Sequence, residues 1–301
     1  MAEFSRLLSA GEQMRTLPLA TVLAFCVMFA AKPALSTGPT HRNSKRAAPR
    51  MSADQLLRTV VDNELRADKE DQSHWMYKSI KHKSGRVETT EVIETKDGEL
   101  HRLTAIDGNA LSPQQQKTET ERIQKVVTDP DELRKRQKDQ KNDSDQSEHM
   151  LSVLPQAMIA SYGRRRKGLI EINLKPNPQY HPTSHETEVF HAMAGQMLVN
   201  TKENRLAQID GRLIKEVKFG GGLLGYLKEG GEFHVTQSEV QRGHWEITAL
   251  HINMQGKALF FKSIGAQENE TRSSFRRVPD DLTLAQAAEK LEPRTEAAER
   301  P

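Results

Sequence analysis

The sequence is poor in the residues on which several classes of protein depend. Among 301 residues there is one cysteine, which excludes an intrachain disulfide framework and a zinc site built from cysteines. Hydrophobic residues make up only 36% of the chain and aromatic residues 5%, which excludes a polytopic membrane protein. The 44 basic and 41 acidic side chains leave a formal net charge of +3. This balance lacks the basic excess of dedicated nucleic-acid-binding proteins.

One uncharged run interrupts this polar chain near its N-terminus. It spans the fifteen residues 17–31, follows Arg15 and precedes Lys32. A membrane-spanning helix needs about 20 apolar residues, so the run predicts a secretory signal peptide, which we place at residues 1–36. We therefore expect an exported protein of the bacterial periplasm or cell envelope, with no integral membrane span in its mature form.

Three smaller expectations concern the same end of the chain. Met14 gives a more compact signal peptide than Met1, so either residue is a candidate start. Cys26 lies inside the apolar run, but Phe25 stands where a lipoprotein signal has a small residue, which argues against lipidation. Residues 37–50 are basic and lack hydrophobic periodicity, so they predict a disordered tether.

Hydrophobic spacing in the rest of the chain predicts a fold of the α+β class. Ser52 and Gln55 form a capping-box pattern at the start of a helix over 53–68. Alternating segments separated by Gly-containing turns predict a β-meander over 74–106 and a second group of strands over 168–277. In total we expect eight or nine antiparallel strands.

These elements predict one domain over residues 51–291, followed by a disordered tail over 292–301. Its sheet is expected to be single, curved and antiparallel, forming a half-open barrel packed against helices. A helical excursion over 112–160 is expected between the third and fourth strands. Its middle, residues 131–149, holds eleven charged residues in nineteen. This density is typical of a solvent-exposed helix and, alternatively, of an interaction arm.

The clearest strand pattern covers residues 205–219. A strand of fifteen residues spans about 50 Å, so a bend or bulge is expected, and Gly211 is the natural position for it. The following segment, 220–225, matches the glycine spacing of a dinucleotide-binding loop. Because no helix can continue past Gly230, the segment instead predicts a glycine-rich connection between strands.

The histidine pattern does not indicate a metal site. His181, His185 and His191 form the only cluster of histidines, and Val189 stands where a zinc protease has its second histidine. We expect no metal and no cofactor, and a metal-dependent hydrolase is the weakest functional alternative. The sequence also lacks a nucleophile elbow and a phosphate-binding loop, so an enzyme is not expected.

One basic run stands out from the mixed charge of the chain. Its positive charge indicates contact with phosphate groups or with an acidic partner. Alternatively, its position among predicted strands indicates that it protects a sheet edge from pairing with another chain. The run consists of Arg164, Arg165, Arg166 and Lys167.

A set of strand and turn motifs points to a family. The motifs are Trp75-x-Tyr77, the turns Asp97-Gly98 and Asp107-Gly108, the strand 205–219 with its glycine-rich continuation, Gly243-His244-Trp245, and 257–261. Together they resemble bacterial exported proteins of the outer-membrane lipoprotein-sorting (carrier) family over residues 53–290. This resemblance implies a half-open barrel closed by helices. In the carriers that barrel holds the acyl chains of lipoproteins in an apolar cavity during transit across the periplasm.

We therefore expect an exported envelope protein that binds lipid or lipoprotein acyl chains between sheet and helices. Burial of acyl carbons needs no specific polar contacts, which fits the scarcity of motifs. The expected cavity wall is Trp75, Tyr77, Ile172, Ile209, Leu213, Val217, Phe219 and Trp245. One alternative is that these residues form ordinary core. The functional alternative is an envelope sensor or scaffold that binds a protein partner through 112–160 and the basic run.

Overall fold

The computed structural model describes residues 51–83, 85–184, 186–219, 222, 225–258 and 265–292. The predicted signal peptide, both candidate start residues, Cys26 and the tether therefore lie outside the described residues. The same holds for most of the glycine-rich connection, His185 and the tail from residue 293.

The described residues form one open, antiparallel sheet of thirteen strands. The strands are β1 (His74–Lys83), β2 (Arg86–Thr95), β3 (Gly98–Ile106), β4 (Asn109–Ala110), β5 (Met158–Arg166), β6 (Leu169–Pro176), β7 (Met193–Asn200), β8 (Arg205–Leu213), β9 (Val217–Phe219), β10 (Gly225–Leu227), β11 (Glu232–Gln241), β12 (His244–Ala258) and β13 (Gly265–Val278). The count exceeds the expected eight or nine partly because β4, β9 and β10 have two or three residues each. Strands this short carry too few residues for alternation to reveal them.

Five helices accompany the sheet in the described part of the chain. They are α1 (Ala53–Glu70), α2 (Pro113–Thr128), α3 (Pro130–Ala157), α4 (Leu284–Lys290) and a 3₁₀ helix over Glu186–Ala192. The predicted capping box of α1 is confirmed, because the Ser52 side chain accepts from the Gln55 N–H and the Gln55 side chain accepts from the Ser52 N–H. None of these helices is long and apolar enough to cross a membrane.

The strand order places the first and last strands side by side in the middle of the sheet. From edge to edge the order is β4-β3-β2-β1-β13-β12-β11-β8-β7-β6-β5, and the short β9–β10 pair branches from β12. All of these pairs are antiparallel, so neighbours connected by short turns account for most of the sheet. The architecture is therefore α+β, as expected.

The sheet divides at the N-terminal end of β12. Among the described residues, β12 pairs with β13 only from Ala249 to Gln255. Beyond that point β13 continues along β1 as far as Val278, whereas β12 continues along β11 as far as His244. The two halves of the sheet therefore separate at a fork, and a cleft lies between them at this point.

Three groups of buried hydrophobic side chains hold the helices on the sheet. The main cluster joins α1 and α3 to strands β5–β8, β11 and β12, and includes Leu57, Leu154 and Phe190. A second cluster joins α2 and α4 to β2 and β3. A third, small cluster consists of Trp75, Tyr77 and Val92, packed against Val240 and Phe275.

The predicted strand over 205–219 is wrong in one respect, because the chain leaves the sheet at 214–216 and so forms two strands. The predicted bulge at Gly211 is also wrong, since Gly211 pairs regularly with Gly195 and Phe233. The break follows Leu213 because its N–H donates to the Gly231 carbonyl, at the turn where the neighbouring strand begins.

The helical excursion consists of two helices rather than one. They meet at Asp129, whose side chain accepts from the N–H groups of Asp131 and Glu132 and so caps α3. The excursion follows the two-residue strand β4, not the third strand as predicted. Its charged middle is largely exposed, but Met150, Leu151 and Leu154 are buried in the main cluster, so its last part belongs to the core.

Candidate ligand-binding cleft

The eight residues expected to line an apolar cavity lie in two different environments. Seven of them are buried, and they pack in the main cluster or in the third cluster. The seven are Trp75, Tyr77, Ile172, Ile209, Leu213, Val217 and Phe219. These seven residues are packed as ordinary core, which was the alternative interpretation of them. Of the eight residues, only Trp245 lines the cleft at the sheet fork.

A cleft of about 420 Å³ lies at the fork of the sheet. Its walls are the C-terminal end of α1, the start of β1, the turn between β2 and β3, the middle of α3 and the start of β12. The fork supplies the space because the backbones of β12 and β13 no longer pair there. Residues from eight separate parts of the sequence therefore meet around one volume.

The wall of this cleft is acidic. Its titratable side chains include eight carboxylates against three guanidinium groups. The carboxylates belong to Glu64, Asp68, Asp71, Glu94, Asp97, Glu99, Glu148 and Glu246, and the guanidinium groups belong to Arg136, Arg205 and Arg272. An apolar ligand gains little from such a wall, because its entry would remove carboxylates from water without compensation.

All three guanidinium groups are held by carboxylates of the protein, and Arg136 donates through Nε to Glu132 at 2.9 Å. Arg205 donates through Nε and Nη2 to the two oxygens of Glu64, at 2.8 and 3.1 Å. Arg272 donates in the same two-point manner to Glu270, at 3.0 and 3.3 Å. These guanidinium groups form their hydrogen bonds with carboxylates of the protein, and Arg272 acts on Glu246 and Glu94 only through its charge.

Several hydrogen-bond acceptors at the wall have no partner among the described residues. The Gln237 side chain is 8% exposed, and its Oε1 accepts no hydrogen bond. Glu94 accepts from the Trp75 N–H at 2.8 Å through Oε2 only. The Glu246 carboxylate, which is half-buried, has neither a hydrogen bond nor an ion pair within the described chain. Of these acceptors only Gln237 Oε1 is fully buried, whereas Glu94 and Glu246 are half-buried. A buried acceptor without a donor is rare in proteins and calls for an explanation.

The same carboxyl groups have unusual proton affinities. Burial raises the pKa of Glu246 to about 7, with Asp71 and Glu99 adding to the increase and Arg272 opposing it. Burial also raises the pKa of Glu94 well above its usual range, and the negative charges of Glu246 and Glu99 raise it further. Carboxyl groups in a cleft with raised pKa values are typical of functional sites.

One neighbouring carboxylate shows the opposite behaviour. Burial by itself would raise the pKa of Glu270, but Arg272 and Lys81 hold it at about 2, and the Ser79 hydroxyl also donates to it at 2.7 Å. Glu270 is thus permanently ionised as the counter-ion of Arg272. The difference from Glu246 arises because Glu246 has no such donors.

The predicted histidine cluster does not assemble. His191 stacks on Tyr180 with ring centroids 6.0 Å apart, His181 is exposed, and His185 lies outside the described residues. In the part of the chain that the structure describes, no three His, Cys, Asp or Glu side chains are placed to hold a metal ion.

A second polar network lies on β7, β8 and β11 and does not line the cleft. Asp210 contacts His234 Nδ1 through one oxygen and accepts from the amides of Gln196 and Gln208 through the other, at 3.0 and 2.8 Å. Thr236 lies 3.1 Å from His234 Nε2. The network joins three neighbouring strands through their side chains.

Comparisons of the chain with protein-family models, curated proteins and solved structures find no match. The resemblance to the lipoprotein-sorting carriers therefore stays a prediction. The function has to be argued from the cleft and from the rest of the structure.

The sequence reasoning missed the acidic cleft. Its eight acidic residues come from four segments of the chain, and they form no motif. One signal was present in β13, where Glu268, Glu270 and Arg272 alternate at the positions that face the core. Three ionic residues at a spacing of two on a strand indicate a buried charge network.

Proposed function

We propose that this protein is an exported binding protein of the cell envelope that takes a small ligand bearing an ammonium or guanidinium group in the cleft at the sheet fork. The observation that carries the proposal is the set of acceptors without donors at the wall: Gln237 Oε1, Glu94 Oε1 and the Glu246 carboxylate. The role is binding rather than catalysis.

The chemistry of the wall supports a cationic donor over other ligand classes. Gln237 Oε1 accepts hydrogen bonds, and the oxygens of Glu94 and Glu246 accept them in the ionised form; the ring nitrogen His74 Nδ1 at the same wall is also unpartnered. The nearby donors Arg205 and Arg272 are engaged by Glu64 and Glu270. A ligand that completes the site must therefore bring protons and positive charge. Ammonium and guanidinium groups bring both, and their hydrogen bonds to carboxylates are about twice as strong as neutral ones.

The shape of the cleft supports a small molecule or a single side chain of a larger partner. Its volume lies in the range of about 300–1,000 Å³ that is usual for ligand pockets. The Trp245 ring is held in place by its Nε1–H, which donates to Glu203 at 2.9 Å. The Arg205 guanidinium already lies over one face of this indole, 5.9 Å from the ring centroid, so only the other face is open to a cation of the ligand.

Acyl-chain binding, which the resemblance to the carriers implies, is the second candidate. The open antiparallel sheet with helices packed on it supports this candidate. Under this candidate, the sheet would form the half-open barrel that holds the acyl chain. The seven buried residues of the expected wall weigh against it, because their side chains are already packed against protein. The cationic ligand is therefore the preferred proposal.

Titration calorimetry with agmatine and cadaverine tests the proposal. We expect both to bind, and we expect N,N′-diacetylcadaverine, which carries no positive charge, to bind about tenfold more weakly or not at all. Glu246→Gln and Glu94→Gln should each weaken binding by about tenfold, because each removes a carboxyl group whose ionised form the positive charge of the ligand would stabilise. Glu289→Gln, at an exposed position on α4, is the matched control.

Two results would contradict the proposal. One is equal binding of the charged and acetylated amines. The other is tight binding of a fluorescent fatty acid that neither amine displaces, which would favour the acyl-chain candidate instead. Lipid analysis of the purified protein tests the acyl-chain candidate, and metal analysis tests the metal-dependent hydrolase alternative.

A further inference from the structure

The basic run predicted from the sequence lies at one end of the hairpin formed by β5 and β6. Strand β5 is an edge of the sheet, and all four residues Arg164 to Lys167 are exposed. None of the four forms an ion pair with an acidic side chain of the described residues. Four adjacent cations are therefore presented to solvent without internal neutralisation.

The hairpin is held firmly at both ends. The Ala160 N–H donates to the Asp54 side chain at 2.9 Å, which ties the start of β5 to α1. At the turn, the N–H and the hydroxyl of Thr201 both donate to the Gly168 carbonyl, at 3.0 and 3.2 Å. The cations are thus displayed on a rigid element rather than on a free loop.

A further contact joins this hairpin to the N-terminal part of the chain. The Tyr162 hydroxyl donates to the Met51 carbonyl at 2.8 Å, two residues before the basic run. Residues 37–50, which lead directly into Met51, contain four Lys and Arg residues and no acidic residue. The described fold therefore begins beside the basic run, at Met51.

We propose that the hairpin residues Arg164 to Lys167 dock on an anionic phospholipid surface. A planar array of lipid phosphates matches a row of exposed cations on a rigid hairpin. Each exposed Lys or Arg near such a surface strengthens binding by about fivefold. The apolar segment 17–31 lies within the predicted signal peptide, so it contributes nothing to the docking of the exported chain.

The test measures partitioning of the full chain onto vesicles. One set of vesicles contains phosphatidylcholine alone, and the other also contains phosphatidylglycerol. The readout is the ratio of binding to the two sets, because the apolar segment contributes to both whereas the hairpin responds only to the anionic lipid. The quadruple variant R164Q/R165Q/R166Q/K167Q is compared with K125Q/K135Q/K138Q/K228Q, which makes the same change in net charge at exposed positions elsewhere.

We expect the hairpin variant to lower the preference for anionic vesicles by about tenfold or more, and the control variant to change it by less than about twofold. High salt should abolish the preference of the unmodified chain. Equal losses in the two variants, or no preference in the unmodified chain, would overturn the proposal. If the quadruple variant misfolds, the pair R166Q/K167Q at the turn provides the same comparison.

Discussion

At the scale of single residues, the cleft combines two opposite solutions to burying a carboxylate. Glu270 is surrounded by the donors Arg272, Lys81 and Ser79, which keep it ionised. Glu246 has no donor among the described residues, so burial favours its protonated form. The contacts of Glu270 join β13 to β1. Glu246 is left without a hydrogen-bond donor, which a bound ligand could supply.

The raised pKa of Glu246 predicts a pH-dependent cost to stability. The folded protein holds a proton on Glu246 up to about pH 7, whereas the unfolded chain releases it near 4.5, so stability falls as pH rises through this window. We expect Glu246→Gln to leave the free energy of unfolding unchanged near pH 4 and to raise it by about 2 kcal/mol above pH 7.

Urea denaturation at a series of pH values measures this effect. Glu289→Gln, whose side chain is exposed, should change stability little at any pH. A Glu246→Gln protein that is less stable than the unmodified chain at high pH would contradict the assignment of this carboxyl group.

At the scale of secondary-structure elements, close backbone approach decides where the sheet tolerates side chains. Gly195 on β7 and Gly211 on β8 are paired directly opposite each other. A Cβ at Gly195 would overlap the carbonyl oxygen of Asp210, which belongs to the backbone and cannot move aside. A Cβ at Gly163 on β5 would meet only the ends of the Glu171 and Asn173 side chains.

These two glycines form a matched pair for mutation. We expect Gly195→Ala to lower the free energy of unfolding by about 2–3 kcal/mol, because the backbones of β7 and β8 must separate. Gly163→Ala should cost less than about 1 kcal/mol, since flexible side chains can rotate away. Thermal unfolding measures the loss of unfolding free energy in both variants. Similar losses would show that close backbone contact at Gly195 is not the cause.

At the scale of the whole molecule, the two ends of the described chain stabilise the middle of the sheet. Strand β1 follows α1 near the N-terminal end, and it pairs with β13 near the C-terminal end. Helix α4 follows β13 and covers β2 and β3 through the second cluster. The last helix is therefore part of the fold rather than an appendage.

Truncation tests this role of α4. A chain ending at Pro279 lacks the side chains Leu282, Leu284, Ala287, Ala288 and Leu291, which leaves Ile93, Leu100 and Ile123 uncovered. We expect it to lose about 3 kcal/mol or more of unfolding free energy, since each fully buried Leu contributes about 1.5–3 kcal/mol. A chain ending at Glu292 keeps the whole cluster and serves as the control. Equal stability of the two would refute the role.

Much of the fold follows from local patterns in the sequence. The start of α1 at Ser52, the hairpins of β1–β3 and the class of the fold all depend on neighbouring residues, which the sequence displays directly. The split of 205–219 into two strands did not follow, because it depends on the turn at Gly231, which pairs with Leu213 from a distant part of the chain. The apolar wall was predicted from strand alternation, which identifies buried faces but does not distinguish a packed core from a cavity.

The sequence by itself determined the α+β class, the capped first helix and the exposed basic run at Arg164 to Lys167. Each of these depends on residues a few positions apart. Only the tertiary structure decided where the sheet forks and which isolated acids meet there. Glu94, Gln237 and Glu246 share a cleft because β13 leaves β12 at Ala249 and continues along β1, and pairing between β1 and β13, about 200 residues apart in sequence, leaves no local pattern.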